Sequence, residues 1–460
     1  MARPLGLPAL RAALALLLYI LLVPAAFAAE ERISERLFLV RDKPGTATQF
    51  QMIVHAGCLE EANGQCRGLA HYLEHLVLVG RNPEHKDAGV RLIPDGAMNG
   101  WTTQRSTRYW HSAPAREAGP KADLELLFNF YAARLKDFSI TPEDAVRERN
   151  VVRQEHDSAL ASRPFPRFAS MLTRALLPDH PAGQMVIGTK DDIAAFTLDD
   201  ARAFHRTWYA LNNTVFVVKA DIEPAALKDI ADRALADVAT RQLPPRARLA
   251  APAFAVERKD FREQDAQITR AGVYVRKLFR MEEGDLAANR AARQIVLSFL
   301  QSRLPGSPHD VIVDKANLGV VQIVTSLARV APKIYALTMA GNVAPDADPD
   351  KLRLAIESYI DALAGNGIPA ATITRLQTRF ADARVNADKD PSAVYSRLIG
   401  WLVQESRYED LAQWPQRIAA VTPADVASVL QGLSSPARTV TGILEPAKPA
   451  LAPVNIEQRP

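Results

Sequence analysis

Cysteine is almost missing from this sequence: Cys58 and Cys66 are the only two in 460 residues. A disulfide framework is thereby excluded, and the fold has to rest on a buried apolar core. An excess of one charge is missing as well. Lys and Arg number 56 against 52 Asp and Glu, a formal net charge of +4, and the basic residues are scattered rather than gathered in blocks. Nucleic acid therefore has no electrostatic footprint here and is excluded as a partner. Long hydrophobic runs are confined to the first thirty residues, so no later segment reads as a membrane-spanning helix. The rest is ordinary. With 48% hydrophobic and 23% charged residues the chain is neither disordered nor collagen-like, and its length suits two domains of about 200 residues each.

The N-terminal run has the parts of an export signal. Arg3 and Arg11 precede an uncharged stretch from Ala12 to Val23, and Ala26-Phe27-Ala28 gives the small-x-small pattern of a cleavage site. Residues 1–29 are expected to be a signal peptide, with a periplasmic or secreted mature chain and no stable membrane span after cleavage. An uncleaved anchor is the alternative, since Ala12 to Ala29 is near the lower length limit for a span. Removal of Arg3 and Arg11 takes the formal charge from +4 to +2.

Proline and alanine punctuate the chain beyond residue 29. The Pro- and Ala-rich stretch from Gln242 to Phe254 reads as a linker, and residues 446–460 as a Pro-rich tail. The parts on either side of the linker repeat one order of signals. Thr197-Leu-Asp-Asp200 caps a helix that leads through Asn212-Asn213 into the strand Thr214–Ala220; Thr422-Pro-Ala-Asp425 caps another that leads through Ser434-Ser-Pro into a strand from Arg438 to Leu444. A long helix precedes each, starting at Thr141-Pro142 and near Pro369. The expectation is an α+β fold of two homologous domains, 30–241 and 259–445, joined by 242–258, each a mixed β-sheet with helices on one side.

Chemistry concentrates in Gly68-Leu-Ala-His71-Tyr-Leu-Glu74-His75. No proline interrupts it and Gly80 ends it, so it predicts a helix with His71, Glu74 and His75 on one face. Two imidazoles one turn apart suit a single Zn²⁺, and the Glu between them points at the open position. This is H-x-x-E-H, the inverse of H-E-x-x-H. A catalytic zinc usually has a third protein ligand. Glu148 and Glu155, seven apart on the helix that Thr141 caps, share a face and are the candidates; on charge pattern alone they also fit a solvated amphipathic helix.

Residues 58–157 resemble the pitrilysin/insulinase family of inverzincin peptidases, which includes the mitochondrial processing peptidases. The resemblance implies His71, His75 and Glu155 as ligands of one zinc per chain, Glu74 as catalytic base and Glu148 as a supporting residue near the site. His75 and Glu155 are a few positions further apart than the family shows, an excess assigned to the 81–95 loop. Asp95 to Tyr109 resembles the family's N-A-x-T segment followed by T-x-Y, which precedes the strand where substrate backbone docks. It implies Asn99 and Thr102 as substrate-binding residues, with Gly100 where alanine is usual. The family's two α+β domains form half of a clamshell chamber. No H-x-x-E-H occurs in the second half.

Relatives also carry, in the second homologous unit, an Arg and a Tyr seven residues apart that hold substrate near the zinc. The corresponding places here are Val313 and Val320. The reading is thus an exported zinc endopeptidase that cuts peptides or unfolded segments as the active subunit of a heterodimer, its partner a homologous chain supplying the Arg and Tyr. A self-sufficient homodimer and a non-catalytic subunit of the same fold are the alternatives. Cys58 and Cys66, flanking the loop before the zinc helix, form either a short-loop disulfide or two free thiols.

Overall fold

The computed structural model describes residues 30–79, 92–137, 139–161, 163–246, 249–253, 255–404 and 407–447. Residues 1–29, where an export signal is expected, most of the 81–95 loop and nearly all of the Pro-rich tail lie outside them. The first half of the chain runs β1 (Glu30–Arg32), β2 (Leu37–Arg41), β3 (Thr48–Val54), α1 (Leu69–Val79), β4 (Ala97–Thr102), β5 (Thr107–Ala113), α2 (Lys121–Lys136), α3 (Pro142–Ala161), α4 (Pro164–Leu176), α5 (Lys190–Ala195), α6 (Leu198–Trp208), β6 (Thr214–Ala220) and α7 (Pro224–Leu235). The second runs β7 (Arg258–Asp265), β8 (Gly272–Arg280), α8 (Leu286–Leu300), β9 (Val320–Ala331), β10 (Ile334–Val343), α9 (Pro349–Asn366), α10 (Ala370–Ala387), α11 (Pro391–Leu402), α12 (Tyr408–Ala412), α13 (Trp414–Ala419), α14 (Pro423–Leu433) and β11 (Ala437–Pro446).

Two mixed sheets result, ordered β1-β2-β6-β3-β5-β4 and β7-β11-β8-β10-β9. In each, one parallel pair, β2 with β6 or β7 with β11, adjoins an otherwise antiparallel array. The duplicated signals thus correspond to a duplicated topology. Both capping expectations are met: Thr197 accepts the Asp200 N–H and Thr422 the Asp425 N–H, and each Asp side chain returns to the cap backbone.

The core of the first sheet follows from two periods. On β3, Phe50, Met52 and Val54 point to one face while Gln49 and Gln51 point to the other. On α2, Leu124, Leu127, Phe128, Tyr131 and Leu135 form the facing stripe, all at or below 1% exposure. They meet in an aromatic cluster, Phe50 stacked on Tyr131 at 5.4 Å and edge-on to Phe128 at 5.0 Å. Each fully buried side chain of this kind stabilises by about 1.5–3 kcal/mol. Arg134, on the same helix, is also fully buried. Its Nε donates to the Val77 carbonyl at 2.9 Å, satisfying an orphan acceptor in the last turn of α1, and its guanidinium lies over Phe130.

By contact, the two compact units are discontinuous in sequence. One comprises residues 1–157, 180–249 and 374–421, the other 158–179, 250–373 and 422–460. The switch at 249/250 falls inside the stretch read as a linker. In the first unit, α11 packs on β2 and β6, and Tyr408 of α12 lies 5.1 Å from Phe38. In the second, α4 covers β11 and β8, where a side chain at Gly442 would strike Leu172 and Phe168 at 2.5 and 2.7 Å. The first half of the sequence therefore lends α4 to the second unit, and the second half lends α11 to α13 and most of α10 to the first.

Candidate metal centre and active site

The site is built on α1, and its N-terminus is fixed first. Glu61 reaches forward to accept the backbone N–H groups of Arg67 and Ala70 at 2.8 and 2.9 Å, so a carboxylate sits at the positive end of the helix. The loop carrying Glu61 is closed by a bond between Cys58 and Cys66, and Gln184 accepts the Cys66 N–H at 2.8 Å. Of the two sequence alternatives for these cysteines, the structure has the disulfide. Closing a loop this short is worth about 2–3 kcal/mol on chain-entropy grounds. Reduction, or Cys58→Ser with Cys66→Ser, is expected to lower the melting temperature by several degrees and to speed loss of bound metal; melting and metal retention unchanged under reductant would show that the loop holds itself.

Tyr72 then ties α1 to α3, its hydroxyl donating to the Ala145 carbonyl at 2.7 Å. This brings carboxylates of α3 to the histidines of α1. Glu155 Oε2 lies 3.7 Å from His71 Nε2 and 3.4 Å from His75 Nε2, and ligand atoms of the three residues all fall within 4.8 Å of one another. Among the described residues no other His, Cys, Asp and Glu group meets that condition. Glu148 takes a different place: its Oε2 is 3.6 Å from His75 Nδ1, behind the ring. His71 has no such support, and its buried Nδ1 finds no partner among the described residues.

The electrostatics suit a cation. Burial disfavours charge on His75, but Glu148 and Glu155 outweigh it and raise its pKa to about 9, whereas burial drags His71 down to about 4. Glu155 is held below the usual carboxylate range, chiefly by His75. The donor set also fits zinc: two imidazole nitrogens and a carboxylate oxygen at 3.4 and 3.7 Å separations, near the roughly 3.3 Å expected of ligands about 2.0–2.1 Å from one tetrahedral ion. Glu155 is half exposed, which leaves the open side that a catalytic centre needs.

Glu74 lies beside this cluster and is only 4% exposed. Burial pushes its pKa up to about 7. Its Oε2 accepts a hydrogen bond from Thr102 Oγ1 at 2.5 Å. Asn99, by contrast, is exposed, and its Oδ1 accepts the Gly100 N–H at 2.8 Å. Both residues stand on β4, an edge strand paired on one side with β5, with Trp101 59% exposed between them. Val313 lies in a π-helix, His309–Lys315, and Val320 begins β9, one of the two edge strands of the second sheet as described. Sequence reasoning did not find the Glu61 cap, the Tyr72 tie or the Thr102–Glu74 bond, because none of them has a spacing signature.

Residues 36–190 match the family described as Insulinase (Peptidase family M16), and residues 195–380 match the Peptidase M16 inactive domain. The chain belongs to the insulinase family, M16. Only its first half carries H-x-x-E-H. The zinc protease PqqE of Helicobacter pylori is 20% identical over 412 residues, 86% of this chain and 87% of that protein. An uncharacterized zinc protease of Mycobacterium leprae is 28% identical over 168 residues, and the match spans 34% of each chain; for one from Mycobacterium bovis the match spans 41% of its length. Relatives of this M16 chain are thus zinc proteases, although the region shared with the mycobacterial ones is well under two thirds of their length. Among solved structures, a protease from Helicobacter pylori superposes with a TM-score of 0.70 over 91% of this chain and 99% of its own, at 17% identity. Pitrilysin gives 0.69 over 91% of this chain and 44% of its own, at 18% identity. These likenesses establish the two-domain M16 fold. The periplasmic protease PqqL of Escherichia coli gives 0.70 over 92% of this chain and 48% of its own, at 17% identity.

Proposed function

We propose that this chain is an exported zinc endopeptidase that hydrolyses peptides or unfolded segments and acts as the zinc-bearing subunit of a heterodimer. The observation that carries the reading is the convergence of His71, His75 and Glu155 from two helices beside a buried carboxylate, Glu74. His71 Nε2, His75 Nε2 and Glu155 Oε2 would hold the metal, one ion per chain. When bound, zinc supplies the Lewis acidity that polarises a peptide carbonyl and acidifies water. Glu148, behind His75, orients that ring so that Nε2 faces the cluster. Glu74, with Oε2 engaged by Thr102, takes the proton of the attacking water as its oxygen bonds to the carbonyl carbon. It then delivers that proton to the departing amine nitrogen as the C–N bond breaks. The edge of β4 that no described strand pairs can add an extended peptide as a further strand, which favours unfolded substrate.

Export is supported by the signal-like residues 1–29 and by the likeness to a periplasmic protease. Among the described residues no helix is long and apolar enough to cross a membrane. The heterodimer is supported by Val313 and Val320, whose side chains cannot hydrogen-bond a substrate carbonyl, at the places where the family resemblance implies an Arg and a Tyr. The test is to assay the mature chain, loaded with zinc, on a short unstructured peptide and on a folded protein of similar sequence, with and without a homologous chain that carries the Arg and Tyr. Cleavage is expected to be restricted to the peptide and to rise about a hundredfold with the partner, the scale on which substrate misplacement costs rate. Full activity of the isolated chain, unchanged by any partner, would remove the heterodimer; equal rates on both substrates would remove the preference for unfolded substrate.

A further inference from the structure

Strand β4 presents two different faces to the site. Asn99 and Trp101 are exposed, whereas Gly100 and Thr102, alternating with them, are buried on the side of α1. There Thr102 Oγ1 lies 2.5 Å from Glu74 Oε2. A hydroxyl has one proton to give, and at this distance the carboxylate has it. Thr102 is only 7% exposed, so it has neither a free proton nor an open path with which to bind a peptide. Thr107, directly across the strand pair, stands behind it: its Oγ1 is 3.5 Å from Thr102 Oγ1 and donates to the Ala56 carbonyl at 2.9 Å. The contact on the other carboxylate oxygen is steric. A Cβ at Gly100 would fall 2.2 Å from Glu74 Oε1 and 2.7 Å from its Cδ and Cγ, so Glu74 keeps this rotamer only because residue 100 has no side chain. Gly100 itself is held in register opposite Tyr109, whose hydroxyl is 2.5 Å from that of Tyr209 in the buried core.

We propose that Thr102 and Gly100 are positioning residues for Glu74, Thr102 by anchoring one carboxylate oxygen and Gly100 by leaving the space that the other occupies, and that Thr102 does not bind substrate. The inference rests on the reading of Glu74 as the base, and it assigns Thr102 differently from the substrate role that the family resemblance implies. It also gives the glycine at 100, where alanine is usual, a consequence peculiar to this chain.

The test uses Thr102→Val, which keeps the shape and removes the hydroxyl, Thr102→Ser, which keeps the hydroxyl, and Gly100→Ala, each in the zinc-loaded chain with its partner present if one is required. Metal content, kcat and KM on a short peptide, and crystal structures of the variants are measured. Thr102→Val and Gly100→Ala are expected to lower kcat about 10- to 100-fold with KM and metal content unchanged, and to show the Glu74 carboxylate displaced; Thr102→Ser is expected to recover most of the rate. A raised KM with kcat intact in Thr102→Val would overturn the proposal in favour of peptide binding. So would a Glu74 carboxylate found in the same position in both Thr102→Val and Gly100→Ala. If Glu74→Gln proved as active as the parent, the reading of Glu74 as base would fail instead, and the crystal structures would still decide whether residues 100 and 102 place that side chain.

Discussion

Glu74→Gln is expected to reduce peptide turnover by about 10²- to 10⁴-fold, the range over which a positioned acid–base group acts, while metal content stays at the parent level. Glutamine has the shape of glutamate and can still accept the Thr102 hydroxyl, so the fold and the Thr102 contact survive. What it cannot do is accept a proton from water and return it to the leaving amine. The expectation is sharp because Glu74 differs in its surroundings from the carboxylate proposed as a ligand. It is buried at 4% exposure with a pKa raised to about 7, against a half-exposed Glu155 whose pKa is lowered. A carboxyl held near neutrality is suited to passing a proton in both directions. Kinetics and metal analysis on one preparation check the point. Loss of metal along with turnover would mean that Glu74 is a ligand and that the division of roles is wrong.

Loss of either histidine is expected to have the opposite signature. His71→Ala or His75→Ala removes one of two imidazoles and leaves a set too poor to retain zinc, so metal should no longer co-purify and activity should fall to background. In His75→Ala the consequence reaches further, since Glu148 and Glu155 both lie against that ring and would face one another without the group that neutralises them. Glu148→Gln is the informative comparison. Glu148 touches His75 at Nδ1, the nitrogen away from Glu155, so its loss should weaken metal binding by about 10- to 100-fold without abolishing it. Titration of metal-free protein with zinc separates the cases. Full zinc affinity in His71→Ala would remove that residue from the ligand set, and abolition of binding in Glu148→Gln would add Glu148 to it.

The sequence by itself determined whatever depends on neighbours along the chain. The spacing of His71, Glu74 and His75 places them on one face of a helix with no reference to the rest of the molecule, because the period of an α-helix is fixed by its own hydrogen bonds. The same holds for the caps at Thr197 and Thr422, each set by contacts three residues apart. The third member of the candidate metal cluster was legible only through family resemblance, since the charge pattern of α3 presents Glu148 and Glu155 as equivalent. Tertiary structure separated them: the Tyr72–Ala145 bond sets where α3 lies on α1, so that one carboxylate meets both Nε2 atoms and the other meets Nδ1. Insertion of β6 between β2 and β3, and the helices exchanged between the two units, also join residues far apart in sequence. No local period specifies such pairings, because they are chosen by the burial of whole faces. Thr102 is the clearest case. Its residue type and motif suit either substrate or base, and only the register of β4 on β5, which turns it toward α1, committed its single proton to Glu74.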